Sequence, residues 1–223
     1  MDLRIAPKPI QRQTVERLRS AILEGMFKPG QRLIESELSA QMGVSRPSLR
    51  EALRSLEAEK LVQIVPNKGP LIPFIPWDEA EQIYEVRILI EGHAAALCAE
   101  RASDEIVSEL KEALKAFAAA NRDDDSAGRL HWTGKFYDII FRTSGNGVLE
   151  EIEQRLLARI NALRQQSMSR AGRGKHSLAE MKAILHAIEQ RDPEGARKAA
   201  QDHIVRACEA ARSVAKTVAP PAD

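Results

Sequence analysis

The sequence lacks a long run of apolar residues. Its apolar stretches, such as LIPFI around Phe74, fall far short of the roughly 20 residues that span a bilayer. The N-terminal segment MDLRIAPKPI contains an acidic residue and two prolines, and it lacks the apolar run of a secretory signal. We therefore expect a cytoplasmic protein without a membrane partner.

The sequence is also poor in cysteine and in catalytic motifs. Its two cysteines, Cys98 and Cys208, lie inside helical patterns without metal-ligand spacing, so we interpret them as reduced packing residues. It has no Gly-rich phosphate loop, no nucleophile elbow and no carboxylate pair placed in a plausible cleft. We predict no catalytic residues, and turnover assays with candidate acids would test the enzyme alternative.

The charge of the chain is nearly balanced but unevenly distributed. A chain of 223 residues suits two domains, and the formal net charge is +1. Residues 1–76 contain 12 Lys and Arg against 8 Asp and Glu, a net charge of +4, which leaves −3 for the remainder. A small basic domain joined to a mildly acidic one is compatible with phosphate binding at one end, although the motifs must carry that argument.

The basic part has the pattern of a winged helix-turn-helix. Apolar residues recur at three- and four-residue spacing over 10–24 and 34–42, which predicts two helices. Gly43 ends the second, and a third helix follows with Ser45 as its N-cap and Pro47 in its first turn. The segments VQIV and PLIPFI around a PNKG turn predict a β-hairpin wing.

The third helix has the donors that a recognition helix needs near its N-terminus. Arg46 and Arg50 lie one turn apart, and arginine can bond both major-groove acceptors of guanine. Two isolated arginines could equally be an ordinary solvated face, but the preceding helix, the Gly43 turn and the basic wing favour DNA binding. The predicted DNA-binding residues are Ser45, Arg46, Ser48, Arg50, Asn67, Lys68 and Gly69.

The segment GMFKPGQRLIESELSAQMGVSRPSLREALRSLEAEKLV, followed by PNKG, resembles the DNA-binding domain of the GntR family. The resemblance implies a sequence-specific transcription regulator. We expect a repressor, although the residues leave an activator open. The family usually has SRTPVREAL and EGL here, so Pro47 replaces a threonine that can contact phosphate, and Lys60 replaces a C-cap glycine.

Residues beyond the wing show helical patterns alone. We predict helices over 78–101, 103–121, 126–143, 146–166, 177–191 and 193–217, with side-chain caps at Asp78 and Ser177. The Gly-rich segment SRAGRGK predicts a mobile loop, and residues 218–223 a disordered tail. The predicted fold is mainly α: a winged helix-turn-helix over 1–76 and an all-α antiparallel helical bundle over 77–217.

Three segments of the second part resemble the FCD domain of FadR-type GntR regulators: EVRILIEGHAAALCAERAS, FYDIIFRTSGN and MKAILHAIEQRDPEGARKAAQDHI. The resemblance implies a helical bundle that dimerises and binds an effector. In many such domains an Asp and three His hold a metal that binds a carboxylate effector. Here Thr133 replaces the Asp, Tyr137 and Met181 replace two histidines, and His203 remains, so we predict no metal and no cofactor.

Arg87 is the most informative residue of the second domain, because it lies at the centre of an apolar helix face. A buried guanidinium needs an acceptor or a counter-charge. Arg87 could form a structural salt bridge with an acid such as Glu91, or it could bind an anionic effector, for which its planar fork is suited. The predicted effector-binding residues are Arg87, Thr133, Tyr137, Arg159, Met181 and His203.

The expected partners are operator DNA, a small organic acid and a second copy of the chain. A single recognition helix reads too few bases to select one site, which favours a homodimer on a short pseudo-palindrome. We expect the effector to change the spacing of the two recognition helices. A DNA-organising protein that binds by charge alone is the alternative, and competition with random DNA distinguishes the two.

Overall fold

The computed structural model describes residues 10–23 and 25–215, and the chain divides into two compact units between Ile75 and Pro76. The sequence placed this boundary one residue later. The predicted end of the first helix at residue 24, the end of the last at 217 and the tail 218–223 lie outside the described residues. No helix within the described ranges is long and apolar enough to cross a membrane.

The first unit is a winged helix-turn-helix, as predicted. Its elements are α1 (Ile10–Leu23), α2 (Glu35–Met42), α3 (Arg46–Ala58), β1 (Gln63–Val65) and β2 (Gly69–Leu71). The two strands pair antiparallel, with Val65 opposite Gly69, and form the wing. Both α1 and α2 pack on α3, whose apolar face is fully buried at Leu49, Leu53 and Leu56.

Backbone conformation sets both ends of the recognition helix α3. Gly43 ends α2 with φ +63°, a left-handed conformation that glycine adopts without a side-chain penalty. Ser45 then caps α3, which begins at Arg46. Just beyond the other end, Lys60 has φ +59°. The glycine usual in the family would relieve strain there, because L side chains rarely adopt this conformation.

The second unit is an all-α bundle, also as predicted. Its elements are α4 (Trp77–Arg101), α5 (Asp104–Arg122), α6 (Ser126–Thr143), α7 (Gly147–Met168), α8 (Arg173–Glu189) and α9 (Pro193–Ala215). Helices α4 and α9 run antiparallel, since Tyr84 contacts Ala207 while Gly92 lies against Gln201. A Cβ on Gly92 would approach the Gln201 Cγ to 2.8 Å, so this glycine permits the close packing of the two helices.

The core of the bundle combines aromatic side chains with small residues. The large buried side chains include Phe117, Phe136, Tyr137, Ile139, Ile140 and Phe141. Helix α9 contributes mainly alanine, at Ala196, Ala200, Ala207, Ala210 and Ala211. Cys98 is buried and free, and burial raises the pKa of its thiol to about 12, which fits a packing residue.

Two predicted helix starts are wrong. Helix α8 begins at Arg173 rather than Ser177, which lies buried within the helix, so the last part of the predicted mobile loop is helical. The reason is tertiary: the Arg173 side chain is buried and bonds to Glu180, which holds this turn on the bundle. Helix α4 begins at Trp77 without a side-chain cap, and Asp78 lies in its first turn.

Candidate functional site

The N-terminus of α3 carries the predicted base-reading residues. The Ser45 Oγ accepts a hydrogen bond from the backbone N–H of Ser48 at 3.3 Å, and the two hydroxyl groups lie 3.0 Å apart. This cap orients the first two turns, from which Arg46 and Arg50 extend as exposed side chains. Donors in this position reach base edges when a recognition helix enters the major groove.

Arg50 has a partner in the structure that the sequence did not reveal. Its Nε donates to Glu35 Oε2 on α2 at 2.8 Å, while the Arg50 side chain stays 60% exposed. An ion pair this exposed contributes little to stability. A base edge or phosphate can therefore replace Glu35 with little loss of free energy.

A cleft of about 440 Å³ lies between the start of α2, the start of α3 and the wing. It is lined by Arg32, Glu35, Ser36, Arg46 and Gly69, among others. Arg32 and Ser36 were absent from the predicted DNA-binding residues. Arg32 lies in a segment that the sequence predicts only as a turn, and an isolated β-bridge with Leu71 places it beside the wing. The cleft therefore joins two arginines far apart in sequence.

The tip of the wing presents the remaining predicted residues. Asn67 and Lys68 are exposed, and Asn67 has φ +62°, a conformation that asparagine tolerates better than most residues. Gly69 follows with φ +82°, and a Cβ there would lie 3.8 Å from the Arg32 guanidinium. The wing and the start of α3 together form a polar, basic surface.

In the second unit, Arg87 is only 1% exposed and forms a salt bridge with Glu91, the partner that the sequence left open. The Arg87 Nε donates to Glu91 Oε1 at 2.6 Å, and the guanidinium lies over the ring of Tyr84. The pairing is incomplete on both sides. The Arg87 Nη1 and the Glu91 Oε2 are buried without a hydrogen-bond partner in the described part of the chain.

The four positions that correspond to the family's metal ligands all lie buried in the bundle. The Thr133 hydroxyl donates to the backbone carbonyl of Arg129 at 2.8 Å, and the Tyr137 ring stacks on His203 with 6.0 Å between the centroids. The Met181 thioether contacts the Ser177 hydroxyl at 3.8 Å. A threonine engaged with its own helix, a phenol and a thioether are poor ligands for a divalent ion.

His203 is part of a buried ionic contact that the sequence did not predict. Its Nδ1 lies 2.7 Å from Glu180 Oε2, and Arg173 donates to both oxygens of Glu180 at 2.9 and 2.7 Å. Burial lowers the pKa of His203, although the Glu180 carboxylate opposes this shift. Across residues 10–23 and 25–215, no three His, Cys, Asp or Glu side chains form a group able to hold a metal ion.

Arg159 and Arg164, both on α7, have different environments. Arg159 is half-buried and bonds to Glu79, at a distance from the polar interior. Arg164 is only 4% exposed and lies over the ring of Tyr137, 5.0 Å from its centroid. The sequence pointed to Arg159, but Arg164 is the arginine that enters the bundle. Its position four residues after the buried Ile160 was a signal available in the sequence.

Arg164 belongs to a group of incompletely paired polar side chains, which we call the buried polar cluster. Its members are Arg87, Glu91, Tyr137, Arg164 and Ser167. Each has at least one buried polar atom that lacks a hydrogen-bond partner among the described residues. Burial raises the pKa of the Tyr137 hydroxyl well above its ordinary value and lowers the pKa of Arg164. The cluster therefore contains both donors and an acceptor without partners.

Glu153 of α7 lies beside this cluster and is buried without a salt bridge to any described residue. Burial raises the pKa of its carboxyl to about 7, with Arg164 opposing the shift and Glu91 and Asp138 adding to it. Near neutral pH its charge is therefore only partly developed. The carboxylate consequently cannot fully neutralise Arg164.

Comparison with known families explains the two-unit architecture. Residues 10–72 match the family described as bacterial regulatory proteins, gntR family, and residues 82–206 match the FCD domain. The chain belongs to the GntR family. Like other GntR regulators with an FCD domain, it is a DNA-binding transcription regulator and not an enzyme.

Curated relatives of this GntR regulator align along most of its length. The HTH-type transcriptional regulator YdhC of Bacillus subtilis (strain 168) is 27% identical over 207 residues, 91% of each chain. The galactonate operon transcriptional repressor of Escherichia coli (strain K12) is 26% identical over 204 residues, 80% of this chain and 86% of the relative.

The solved structure of E. coli McbR/YncC has the same fold as this GntR regulator. It superposes with a TM-score of 0.81 over 95% of this chain and 99% of that chain, at 22% sequence identity. This likeness concerns the fold alone.

Proposed function

We propose that this GntR regulator is a repressor that binds a short pseudo-palindromic operator as a homodimer, and that a small organic anion inside the FCD bundle controls its operator affinity. The buried polar cluster is the observation that supports this control. An unpaired buried donor or acceptor costs roughly 1–3 kcal/mol, so five such side chains in one place are an expensive arrangement for a purely structural core.

An anion fits the cluster better than a neutral molecule. The charge of Arg87 is balanced by Glu91, whereas Arg164 has no salt bridge to a described carboxylate. A planar guanidinium matches a carboxylate through paired hydrogen bonds. The relative from E. coli is a repressor of a galactonate operon, and galactonate is itself a carboxylate. Both observations support an organic acid as the effector and repression as the mode of action.

A metal is not part of the proposed site. The side chains at the family's ligand positions are engaged with the protein, and their chemistry does not suit a divalent ion. We expect a chelator to leave the melting temperature unchanged, and elemental analysis to find no stoichiometric zinc, nickel or manganese. One tightly held metal ion per chain would contradict this.

Dimerisation follows from the size of the operator and is supported by exposed apolar side chains. Val86 and Leu89 extend from α4, and Val148 and Ile152 from α7, a helix in contact with α4. Each pair follows helical spacing, and such residues on one chain are suited to a second copy. Light scattering should find a dimer, and a monomer at operator-saturating concentration would count against it.

The effector acts on DNA binding only through its differential affinity for two dimer arrangements. A coupling of about 1–3 kcal/mol, or roughly 5- to 150-fold in operator affinity, is typical of such proteins. We propose that effector binding changes the spacing of the two recognition helices. The same differential affinity also requires operator DNA to weaken effector binding by the same factor.

The test is fluorescence anisotropy of operator DNA with a panel of organic acids and their neutral counterparts as controls. One acid should lower operator affinity within the range above while leaving binding to random DNA unchanged. If every acid leaves the operator complex intact, effector control is wrong. If random DNA competes as well as the operator, specific repression is wrong.

A further inference from the structure

The buried polar cluster contains two guanidinium groups in different electrostatic states. Arg87 directs its Nε to Glu91, so one carboxylate already balances its charge. Arg164 makes a hydrogen bond from Nη1 to the neutral Asn161 Oδ1 at 3.1 Å, and its Nε and Nη2 lack partners in the described part of the chain. The positive charge that awaits a counter-ion therefore lies on Arg164.

Three further groups without partners come from the helices around Arg164. Ser167 lies one turn further along α7, and its hydroxyl is buried without a partner, as is the Tyr137 hydroxyl from α6. The Tyr137 ring lies under the Arg164 guanidinium. These hydroxyl groups can donate to an acid bound at Arg164. Contacts between α4, α6 and α7 bring the residues of this site together.

The Glu91 Oε2 is the one member of the cluster that needs a donor. Its partner oxygen accepts from Arg87, and Oε2 itself is buried with no donor among the described residues. A carboxylate ligand alone would leave it unpaired. An ammonium group is disfavoured beside Arg87 and Arg164, because both are positively charged. A hydroxyl group supplies the missing donor without adding charge.

We propose, building on the effector control above, that Arg164 binds the acidic group of the effector and that Glu91 Oε2 accepts a hydrogen bond from a hydroxyl group of the same molecule. The effector is therefore a hydroxycarboxylic acid. Arg164 takes over the charge that a metal would supply, from a helix that carries none of the metal-ligand positions. His203, held by Glu180, takes no part in binding.

The first test needs no ligand and compares two buried arginines. Arg164→Met should keep or raise the melting temperature of the protein, because it removes a buried charge that has no carboxylate partner. Arg173→Met should lower it by about 5 °C or more, because it leaves Glu180 without its bidentate partner. Arg155→Met, on the exposed face of α7, is the control and should have no effect. A fall for Arg164→Met as large as that for Arg173→Met would make Arg164 structural and overturn the proposal.

The second test uses acids that differ in their hydroxyl groups, lactate against propionate and gluconate against hexanoate, measured by calorimetric titration. The preferred hydroxy acid should bind about 10- to 100-fold more tightly than its deoxy counterpart, the effect of one hydrogen bond to a charged group. Arg164→Met should lose this binding, and Arg155→Met should retain it. Sulfate, which offers charge alone, should bind weakly.

Three results would overturn the inference: a deoxy acid that binds as tightly as its hydroxy counterpart, unchanged binding by Arg164→Met, or release of the operator by an acid without a hydroxyl group. If no acid at all affects the wild-type operator complex, the proposed effector control fails instead. The order of the melting temperatures would still decide whether Arg164 is structural.

Discussion

The two units of the chain use arginine in opposite ways. In the winged helix-turn-helix, Arg46 and Arg50 are exposed, and the ion pair of Arg50 is open to solvent. In the FCD bundle, Arg87, Arg164 and Arg173 are each less than 5% exposed. An exposed arginine exchanges its partner at little energetic loss and so suits a DNA surface. A buried arginine must have a partner in the protein or in a ligand, so its pairing reveals its role.

The sharpest test of this contrast is to break one carboxylate contact in each unit. Glu180→Ala should destabilise the bundle by about 3–5 kcal/mol, because Arg173 and His203 lose a buried partner. Glu59→Ala, which breaks the surface pair with Arg19, should cost less than about 1 kcal/mol. Urea unfolding measures both. Equal losses would show that burial does not distinguish the two units.

The pH dependence of stability tests the buried side further. Glu153 holds its proton up to about pH 7 in the folded chain, against an ordinary pKa of 4.5, so its contribution to stability is lost as pH rises through this window. Glu153→Gln, which cannot ionise, should be more stable than the wild type at pH 8 by up to about 3 kcal/mol, at roughly 1.4 kcal/mol per pKa unit.

The difference should disappear below about pH 4.5, where the wild-type carboxyl is protonated in both states. Thermal unfolding of both proteins across this range measures it. A constant difference would mean that Glu153 is ionised throughout, paired with Arg164. In that case the charge of Arg164 would not be available to a ligand.

On the exposed side, the expected effects concern DNA rather than stability. Arg46→Ala or Arg50→Ala should weaken operator binding by about 1–3 kcal/mol and relax preference at one base pair. Lys68→Ala should weaken operator and random DNA alike, because a phosphate contact carries no sequence information. Anisotropy with both DNAs measures this. If the arginine variants lost both kinds of binding equally, the division into base-reading and phosphate-binding residues would be wrong.

The smallest expected effect lies at the end of α3, where Lys60 adopts a left-handed conformation. Lys60→Gly should stabilise the first unit by about 0.5–1 kcal/mol, since relief of the strain exceeds the greater entropy of glycine in the unfolded chain. Lys60→Ala is the matched control and should bring no such gain. A loss of stability with glycine would mean that contacts of the Lys60 side chain outweigh the strain.

The sequence by itself determined the elements that depend on neighbouring residues. The Gly43 turn, the Ser45 cap and the start of α9 at Pro193 are local, because each depends on backbone conformation or a short-range hydrogen bond. The apolar periodicity of the helices also indicated the bundle, and placed Thr133, Tyr137, Met181 and His203 inside it.

Only the tertiary structure decided which polar groups meet. The pairing of Arg87 with Glu91 was one of two open alternatives, and the choice of Arg164 over Arg159 depended on which neighbour each side chain reaches. Arg173 was assigned to a loop, because nothing near it in sequence announces a partner seven residues away that is itself held by His203. Burial and long-range electrostatics act between helices, so a pattern read along one helix cannot contain them.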